Sequence, residues 1–375
     1  MHTRFLMAMI VASALAGLVR FCSAAAPATS AADADLKTQF LALCETARFT
    51  VAEQARKDLR SALPSYKGRA FYWDSYVVRS LCVAFDMTGK PEYLDVCKRW
   101  SDRMIDYQKD MVPKGAYYMQ YGRKPGEDKG DWYVADCSSI ALGVLATAQR
   151  VTAPADKARY LDSVKAFAKL VTDNFVRPSG GVTDGYWPKS DKEWWCSTGI
   201  FGSLAFFLYD ETKDPSYLKV GLAAIDWLNQ QDLLTVGDID SPKQLRPTVL
   251  MYCLEGYSAA FPYMKPEEER TKLAMAQWDK AFRWMTENFG GRSGVNYTSQ
   301  WGSKLGGLPM HLYVYSQYAP QTDVVVRLAD GELRYATRSV REAVPNKARD
   351  QLALFTMLAY AEKIRPGSIY RMSKR

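Results

Sequence analysis

The chain has 375 residues, 48% of them hydrophobic, and a formal net charge of +8. That apolar content is ample for a sizeable core. The basic residues are dispersed, with no Lys/Arg run dense enough for nucleic-acid binding. With 10 Trp and 23 Tyr, many aromatic rings are expected to line a groove rather than fill a core, because Trp and Tyr carry a polar end that needs a partner or water.

Residues 1–26 read as a secretory signal. His2 and Arg4 form a basic start, Phe5 to Val19 is an apolar run too short to span a membrane comfortably, and Ser23-Ala24-Ala25-Ala26 offers small residues for cleavage. Nothing later resembles a transmembrane segment. The expected mature protein is one domain, 27–375, secreted or periplasmic. Loss of Arg4 and Arg20 lowers the formal charge by two, which leaves a modest positive charge. That charge suits an anionic glycan, or serves solubility alone.

Apolar periodicity predicts helices in chain order. They cover about 35–63, 72–88 with Gly89 as a stop, 93–109, 136–151, 157–175, 199–209, 217–230, 247–261 with Pro at its start, 267–289 and 346–364. The Asp136 carboxylate is placed to cap the fourth. Three of these helices open on the same pair, Tyr93-Leu94, Tyr160-Leu161 and Tyr217-Leu218, spaced 67 and 57 residues apart. Similar loops follow, with Asn174-Phe175 before Gly180-Gly181 and Asn288-Phe289 before Gly290-Gly291. The repeat suits helical hairpins with long loops, which must stack because one hairpin cannot bury both of its faces.

The helices near 76–87, 138–150, 199–209, 248–261 and 350–362 are apolar nearly all round, whereas those at 93–109, 157–175, 217–230 and 267–289 carry charge on one face. Alternation of this kind predicts an inner ring within an outer ring. The expected fold is all-α, an α/α toroid of five to six helical hairpins. Residues 323–338 alternate around Asp330-Gly331 and read as a small β-hairpin insertion.

Six cysteines follow the signal: Cys44, Cys82, Cys97, Cys137, Cys196 and Cys253. An even count in an exported protein permits disulfides, but the six fall in or at the starts of helices without a close-spaced framework, which favours buried free thiols. No CxxC is present, so no structural zinc site or redox motif is indicated. One histidine, His311, lies outside the signal, which excludes HExxH zinc chemistry. No GxSxG, P-loop or GxGxxG occurs, and no metal or cofactor is expected.

In such a ring the loops before the inner helices converge on one face. That face would collect Trp73 and Asp74; Tyr118, Tyr121 and Arg123; Asp131, Trp132 and Asp136; Asp184, Tyr186, Trp187, Glu193, Trp194 and Trp195; then Trp301 and His311. Aromatic rings stack on sugar C–H faces while Asp, Glu and Arg bond hydroxyls, so an oligo- or polysaccharide is the expected partner. Glycoside hydrolysis needs two carboxyls, and the candidates are Asp74, Asp131, Asp136, Asp184 and Glu193. For Asp136 a helix cap is an equal reading; for Asp74, an acid favoured by the helix dipole. Trp194 and Trp195 read equally as packing residues.

The segment Phe71-Tyr-Trp-Asp-Ser-Tyr-Val-Val-Arg-Ser-Leu through Thr88-Gly-Lys-Pro-Glu-Tyr-Leu-Asp95 resembles the six-hairpin glycosidase-like superfamily, and within it unsaturated uronyl hydrolases and bacterial α-mannanases. Ser179-Gly-Gly-Val with Glu193-Trp-Trp is similar to the mannanase-like pattern. The resemblance covers most of residues 70–290 in architecture and short motifs. It implies an α/α toroid with a catalytic acid at the inner-helix face, and so points to Asp74 and one of Asp131 or Asp136. Tyr121-Gly122-Arg123 stands where the uronyl hydrolases would place an acidic residue, and no adjacent Asp-Asp pair like that of the mannanases is present. The expected function is an exported glycoside hydrolase. Its rivals are a lyase on an acidic polysaccharide, using His311 and a Tyr, and a noncatalytic glycan-binding or scaffold protein.

Overall fold

The computed structural model describes residues 31–60, 70–186, 191–235, 247–288, 307–341 and 346–369. The signal at 1–26, Trp187 and Trp301 lie outside these residues. Twelve helices are described: α1 (Ala31–Arg56), α2 (Phe71–Thr88), α3 (Pro91–Asp110), α4 (Val134–Ala148), α5 (Pro154–Asn174), α6 (Trp195–Thr212), α7 (Pro215–Asn229), α8 (Pro247–Ala260), α9 (Glu269–Asn288), α10 (Leu308–Tyr315), α11 (Thr322–Arg341) and α12 (Asn346–Ile364). Two short strands, β1 (Trp132–Tyr133) and β2 (Gly185–Tyr186), pair antiparallel with Trp132 opposite Tyr186.

The even-numbered helices pack in the order α2, α4, α6, α8, α10, α12, and α12 returns against α2. That closes an inner ring. The odd-numbered helices pack outside it, with α1 against α2, α3 and α12, and α7 against α6, α8 and α9. The ring is the α/α toroid expected from the sequence, with six hairpins. Fourteen consecutive residues of α2, Phe71 to Ala84, are buried, whereas the buried residues of α3 recur at Tyr93, Val96, Cys97, Trp100, Met104 and Tyr107. The first pattern suits a helix packed on all sides, the second a helix with one apolar stripe.

Local chemistry sets the hairpin turns. Gly89 takes a left-handed conformation (φ 69°) and its N–H donates to Phe85 O at 2.8 Å, which ends α2; Pro91 then starts α3. Pro154 and Pro215 start α5 and α7 in the same way, and the Asp214 carboxylate caps α7 by accepting from Ser216 N at 2.9 Å. The repeated Tyr has a structural use. Tyr93 of α3 donates to Glu45 of α1 at 2.7 Å, and Tyr160 of α5 donates to Asp102 of α3 at 2.8 Å. Each ties one outer helix to the outer helix before it.

The expected β-hairpin at 323–338 is instead part of α11. Val325, Leu328, Ala329, Glu332, Leu333 and Ala336 are buried, a three-and-four spacing that only a helix can direct to one side. Gly331 sits inside that helix rather than at a turn. The short inner helix α10 was not anticipated. The fourth helix also begins earlier than expected: its N-cap is Tyr133, so Asp136 lies within the first turn rather than capping it.

Inside the ring, a charged pair crosses the axis. Arg79 of α2 and Glu255 of α8, which stand opposite each other in the ring order, meet at 2.7 Å with both side chains buried. The backbones of α6 and α8 approach each other closely. A Cβ added at Gly199 would sit 2.4 Å from Tyr252 O, and one at Gly256 would sit 2.8 Å from Gly199 O. Neither backbone can move without opening the ring. Gly199→Ala is therefore expected to lower unfolding stability by about 1–3 kcal/mol through overpacking. Urea unfolding measures this, and an unchanged midpoint would show that α6 and α8 separate freely.

Candidate active site

The starts of four inner helices, α2, α4, α6 and α8, meet at one mouth. Val134 N, at the start of α4, donates to Asp184 O in the loop leading to α6 at 3.2 Å, and Ser197 Oγ in the first turn of α6 donates to Asp184 Oδ1 at 2.6 Å. Tyr252, early in α8, lies within electrostatic reach of Tyr72 and Tyr76 on α2, Asp136 on α4 and Cys196 on α6. Residual exposure marks the floor. Tyr72, Trp73, Ala135, Trp194, Cys196 and Tyr252 keep 6–8% of their surface, while their neighbours deeper in the ring keep almost none.

Two carboxylates at this mouth reach solvent. Asp136, half-buried, accepts a hydrogen bond from the Tyr121 hydroxyl at Oδ2. Asp131, also half-buried, accepts from the Tyr133 hydroxyl at 3.3 Å. Burial and the adjacent Asp131 push the Tyr133 hydroxyl up to about 12, so it remains a neutral donor. The Tyr121 and Tyr133 rings are 6.2 Å apart, which couples the two acid–tyrosine pairs. The loop carrying Tyr121 is fixed by backbone geometry. Gly122 has φ 64°, a Cβ there would lie 2.3 Å from Asp131 O, and Arg123 N donates to that same oxygen at 2.9 Å. Only glycine fits between the two strands of this loop.

The other sequence candidates divide by place. Asp74, in the first turn of α2 beside Trp73, is fully buried. Trp194 is buried and Trp195 half-buried, with their rings edge to face at 5.1 Å. Trp132 is enclosed, its ring against Phe167, Phe175 and Tyr186 and its Nε1 donating to Tyr117 O at 2.8 Å. Tyr118 is enclosed against Phe71 and Tyr107 and donates to Leu59 O at 3.2 Å. The Arg123 guanidinium lies 4.3 Å over the Tyr186 ring and donates to Val112 O at 3.0 Å. Glu193 accepts from Trp227 Nε1 of α7 at 2.8 Å and from Ser179 Oγ, a contact that pins the Gly180–Gly181 loop to the outer ring.

His311 lies in α10, fully buried, with Nδ1 3.1 Å from Ser258 Oγ. Burial, with Arg79 nearby, pushes its pKa down to about 3. Three mouth tyrosines went unread in the sequence, Tyr72, Tyr133 and Tyr252. Tyr133 was signalled by its place next to Trp132; Tyr252 carried no local signal, because only ring closure brings it to Asp136. Among the described residues, no group of three or more His, Cys, Asp or Glu is placed to hold a metal ion, and no helix is long and apolar enough to cross a membrane.

The arrangement is that of a six-hairpin α/α toroid with an acid-bearing mouth at the inner-helix starts. No protein-family model matches the chain, nor does any curated protein sequence. Solved structures do match its fold. A glycoside hydrolase family 76 α-mannanase of Bacteroides thetaiotaomicron is similar with a TM-score of 0.63 at 11% identity, over 86% of this chain and 96% of that one. The α-1,6-mannanase of Salegentibacter sp. HEL1_6 is similar with a TM-score of 0.61 at 10% identity, over 86% and 99%. An unsaturated glucuronyl hydrolase specific for heparin is similar with a TM-score of 0.55 at 12% identity, over 88% and 98%. The chain thus has the six-hairpin glycosidase-like fold.

The enclosed histidine makes a pH prediction. In the unfolded chain His311 titrates near 6.5, whereas the folded chain holds it neutral down to about pH 3. The unfolded state therefore gains a proton between these values that the native state does not. Stability from this group is complete above pH 6.5 and declines as pH falls toward 3. At pH 5 the loss is about 2 kcal/mol. Urea unfolding at pH 7 and pH 5 should show His311→Gln losing less stability on acidification than the parent by about that amount. Equal losses would mean that the imidazole is charged in the native state.

Proposed function

We propose that this protein is an exported glycoside hydrolase whose reaction is carried by Asp136 together with a second mouth carboxyl. The observation that carries the reading is the position of Asp136. It is a half-exposed carboxylate in the first turn of an inner helix, at the mouth where inner-helix starts converge, with a tyrosine hydroxyl on its Oδ2. The likeness of fold adds support, since the similar structures are of glycosidases. For the Salegentibacter enzyme, an inactive variant has two consecutive aspartates replaced by alanine and is in complex with an α-1,6-linked mannotetraose. In this chain Asp136 follows Ala135, so one acid of any such pair would have to come from elsewhere.

Asp131 is the stronger partner for Asp136, because both reach solvent and each is bonded by a tyrosine from the same loop region. One carboxyl would protonate the departing glycosidic oxygen and the other would serve as base or nucleophile at the anomeric carbon. Both carboxylates accept a tyrosine hydroxyl, Tyr121 on Asp136 and Tyr133 on Asp131, so the division of acid and base roles between them is read from the variants below. Asp74, enclosed beneath, would support the floor beside Trp73. Trp194, Trp195, Tyr72 and Tyr252 would bound the sugar. Enclosure of His311 favours hydrolysis over elimination, since a lyase base must reach the substrate. The leader at 1–26 would be removed on export, leaving one toroid domain.

A panel beginning with α-linked mannans and continuing with acidic and unsaturated uronyl oligosaccharides tests the reading. Hydrolysis should release reducing ends without a new ultraviolet-absorbing double bond. Asp136→Asn and Asp131→Asn should each reduce kcat by about 100-fold or more, in line with the usual contribution of a general acid or base, with circular dichroism unchanged. If Asp74→Asn removes turnover in a folded protein while Asp131→Asn does not, the pair is Asp74 with Asp136. An unsaturated product, or binding of every glycan without any product, would sink the hydrolase reading.

A further inference from the structure

Cys82 and Cys97 stand apart from the other cysteines. Cys82 lies on α2 of the inner ring, Cys97 on α3 of the outer ring, 15 positions apart in sequence and on the two arms of one hairpin. Both side chains are fully buried and their sulfurs are 3.8 Å apart. The Cys97 thiol also contacts Val78 O at 3.5 Å, one helical turn before Cys82, which aims its sulfur at α2. Cys137, by contrast, donates to Tyr117 O at 3.3 Å.

We infer that Cys82 and Cys97 are joined by an intramolecular disulfide when the chain folds in an oxidising compartment. A disulfide needs sulfurs about 2.05 Å apart, so from 3.8 Å the two sulfurs must approach by under 2 Å, shared between side chains on packed helices. The bond would staple the inner ring to the outer ring in the hairpin that carries Asp74 and Tyr72. The structure holds all six described cysteines as free, buried thiols, the form the sequence favoured, and the oxidised pair is the step beyond it.

The exchange balances with a disulfide oxidant such as oxidised glutathione. One cysteine thiolate attacks a glutathione sulfur, forming a mixed disulfide and releasing one glutathione thiolate. The second cysteine gives up its proton and displaces the other glutathione. The protein loses two electrons and two protons, which leave as two glutathione thiols. Burial pushes the Cys97 thiol well above its ordinary value, with Cys82 the next cause, so thiolate is scarce once the helices have packed. Closure therefore belongs to folding, before α3 seals against α2, rather than to the finished protein.

The inference does not rest on the glycan reading, and its test does not use activity. The full chain is exported with its leader into an oxidising compartment, and a second sample is refolded in oxidised and reduced glutathione. Each is unfolded without reductant, alkylated with N-ethylmaleimide and weighed, then digested for peptide mapping. The expected result is two fewer alkylated cysteines than in the pre-reduced control, with one linked peptide pair containing Cys82 and Cys97. Equal alkylation with and without reductant would overturn it. So would a link between another pair; Cys44 with Cys97 is the nearest rival, because Cys44 of α1 also raises the Cys97 thiol.

Discussion

The ion pair between Arg79 and Glu255 sets what this toroid can be. A ring of six helices leaves an axial space that neighbouring helices cannot fill by themselves. Here the space is crossed by a guanidinium and a carboxylate from opposite sides of the ring, 2.7 Å apart and both buried. Tyr76 adds its hydroxyl to Glu255 at 3.4 Å, and His311 with Ser258 packs on the same level. Neither charge tolerates loss of the other, since an unpaired buried charge costs about 3–5 kcal/mol. The pair thus holds α2 and α8 at a fixed separation, and it does so below the mouth. Tyr72 and Tyr252, which keep 6–7% of their surface, floor the mouth, and Tyr76 lies beneath them, almost wholly enclosed.

That floor explains the division among the acids. Asp136, in the first turn of α4, and Asp131, just before β1, are half-buried and meet solvent, whereas Asp74, in the first turn of α2, is fully buried. Burial, and not residue type, separates the two classes. The tyrosines follow the same rule. Tyr121 rides on a loop fixed by Gly122 and reaches an exposed acid, while Tyr118, three residues earlier, turns inward to Phe71 and Tyr107.

Much of the fold was legible because the signal is local. An inner helix reads as apolar on every side, an outer helix as a stripe, and the turn between them as Gly or Asp followed by Pro. The Tyr-Leu repeat was legible as a pattern, and the use of two of its tyrosines, Tyr93 and Tyr160, as hydroxyl tethers between successive outer helices needed the structure. Residues 323–338 misled because Val324-Val325-Val326 and Asp330-Gly331 imitate a hairpin over short windows. The three-and-four spacing from Val325 to Ala336 emerges only over the whole segment. The short helix α10 was hidden by Pro309 near its start, which reads as a loop residue unless the helix is already known to begin there.

The site was legible to the depth of one helix start and no further. Asp136 could be placed at the mouth because its position depends only on where α4 begins. Which aromatic rings face a ligand was not legible, because Trp132 and Trp195 carry the same local pattern of neighbours. Trp132 is drawn inward by Phe167 and Phe175, which come from the next hairpin, and its indole N–H is answered by Tyr117 O. Trp195 packs on the core only in part, with its ring edge to face against Trp194. Tyr252 is the counterpart: unremarkable in sequence, it arrives beside Asp136 only because Gly199 lets α8 press against α6. Its hydroxyl is pushed well above the ordinary tyrosine range by burial, with Tyr76 the next cause, so it stays protonated. A neutral hydroxyl at that depth can donate to a carboxylate or to a sugar oxygen but cannot serve as a base at physiological pH. On the proposed reading, proton transfer at this mouth would therefore fall to the aspartates, whose hydrogen-bonded hydroxyls are those of Tyr121 and Tyr133.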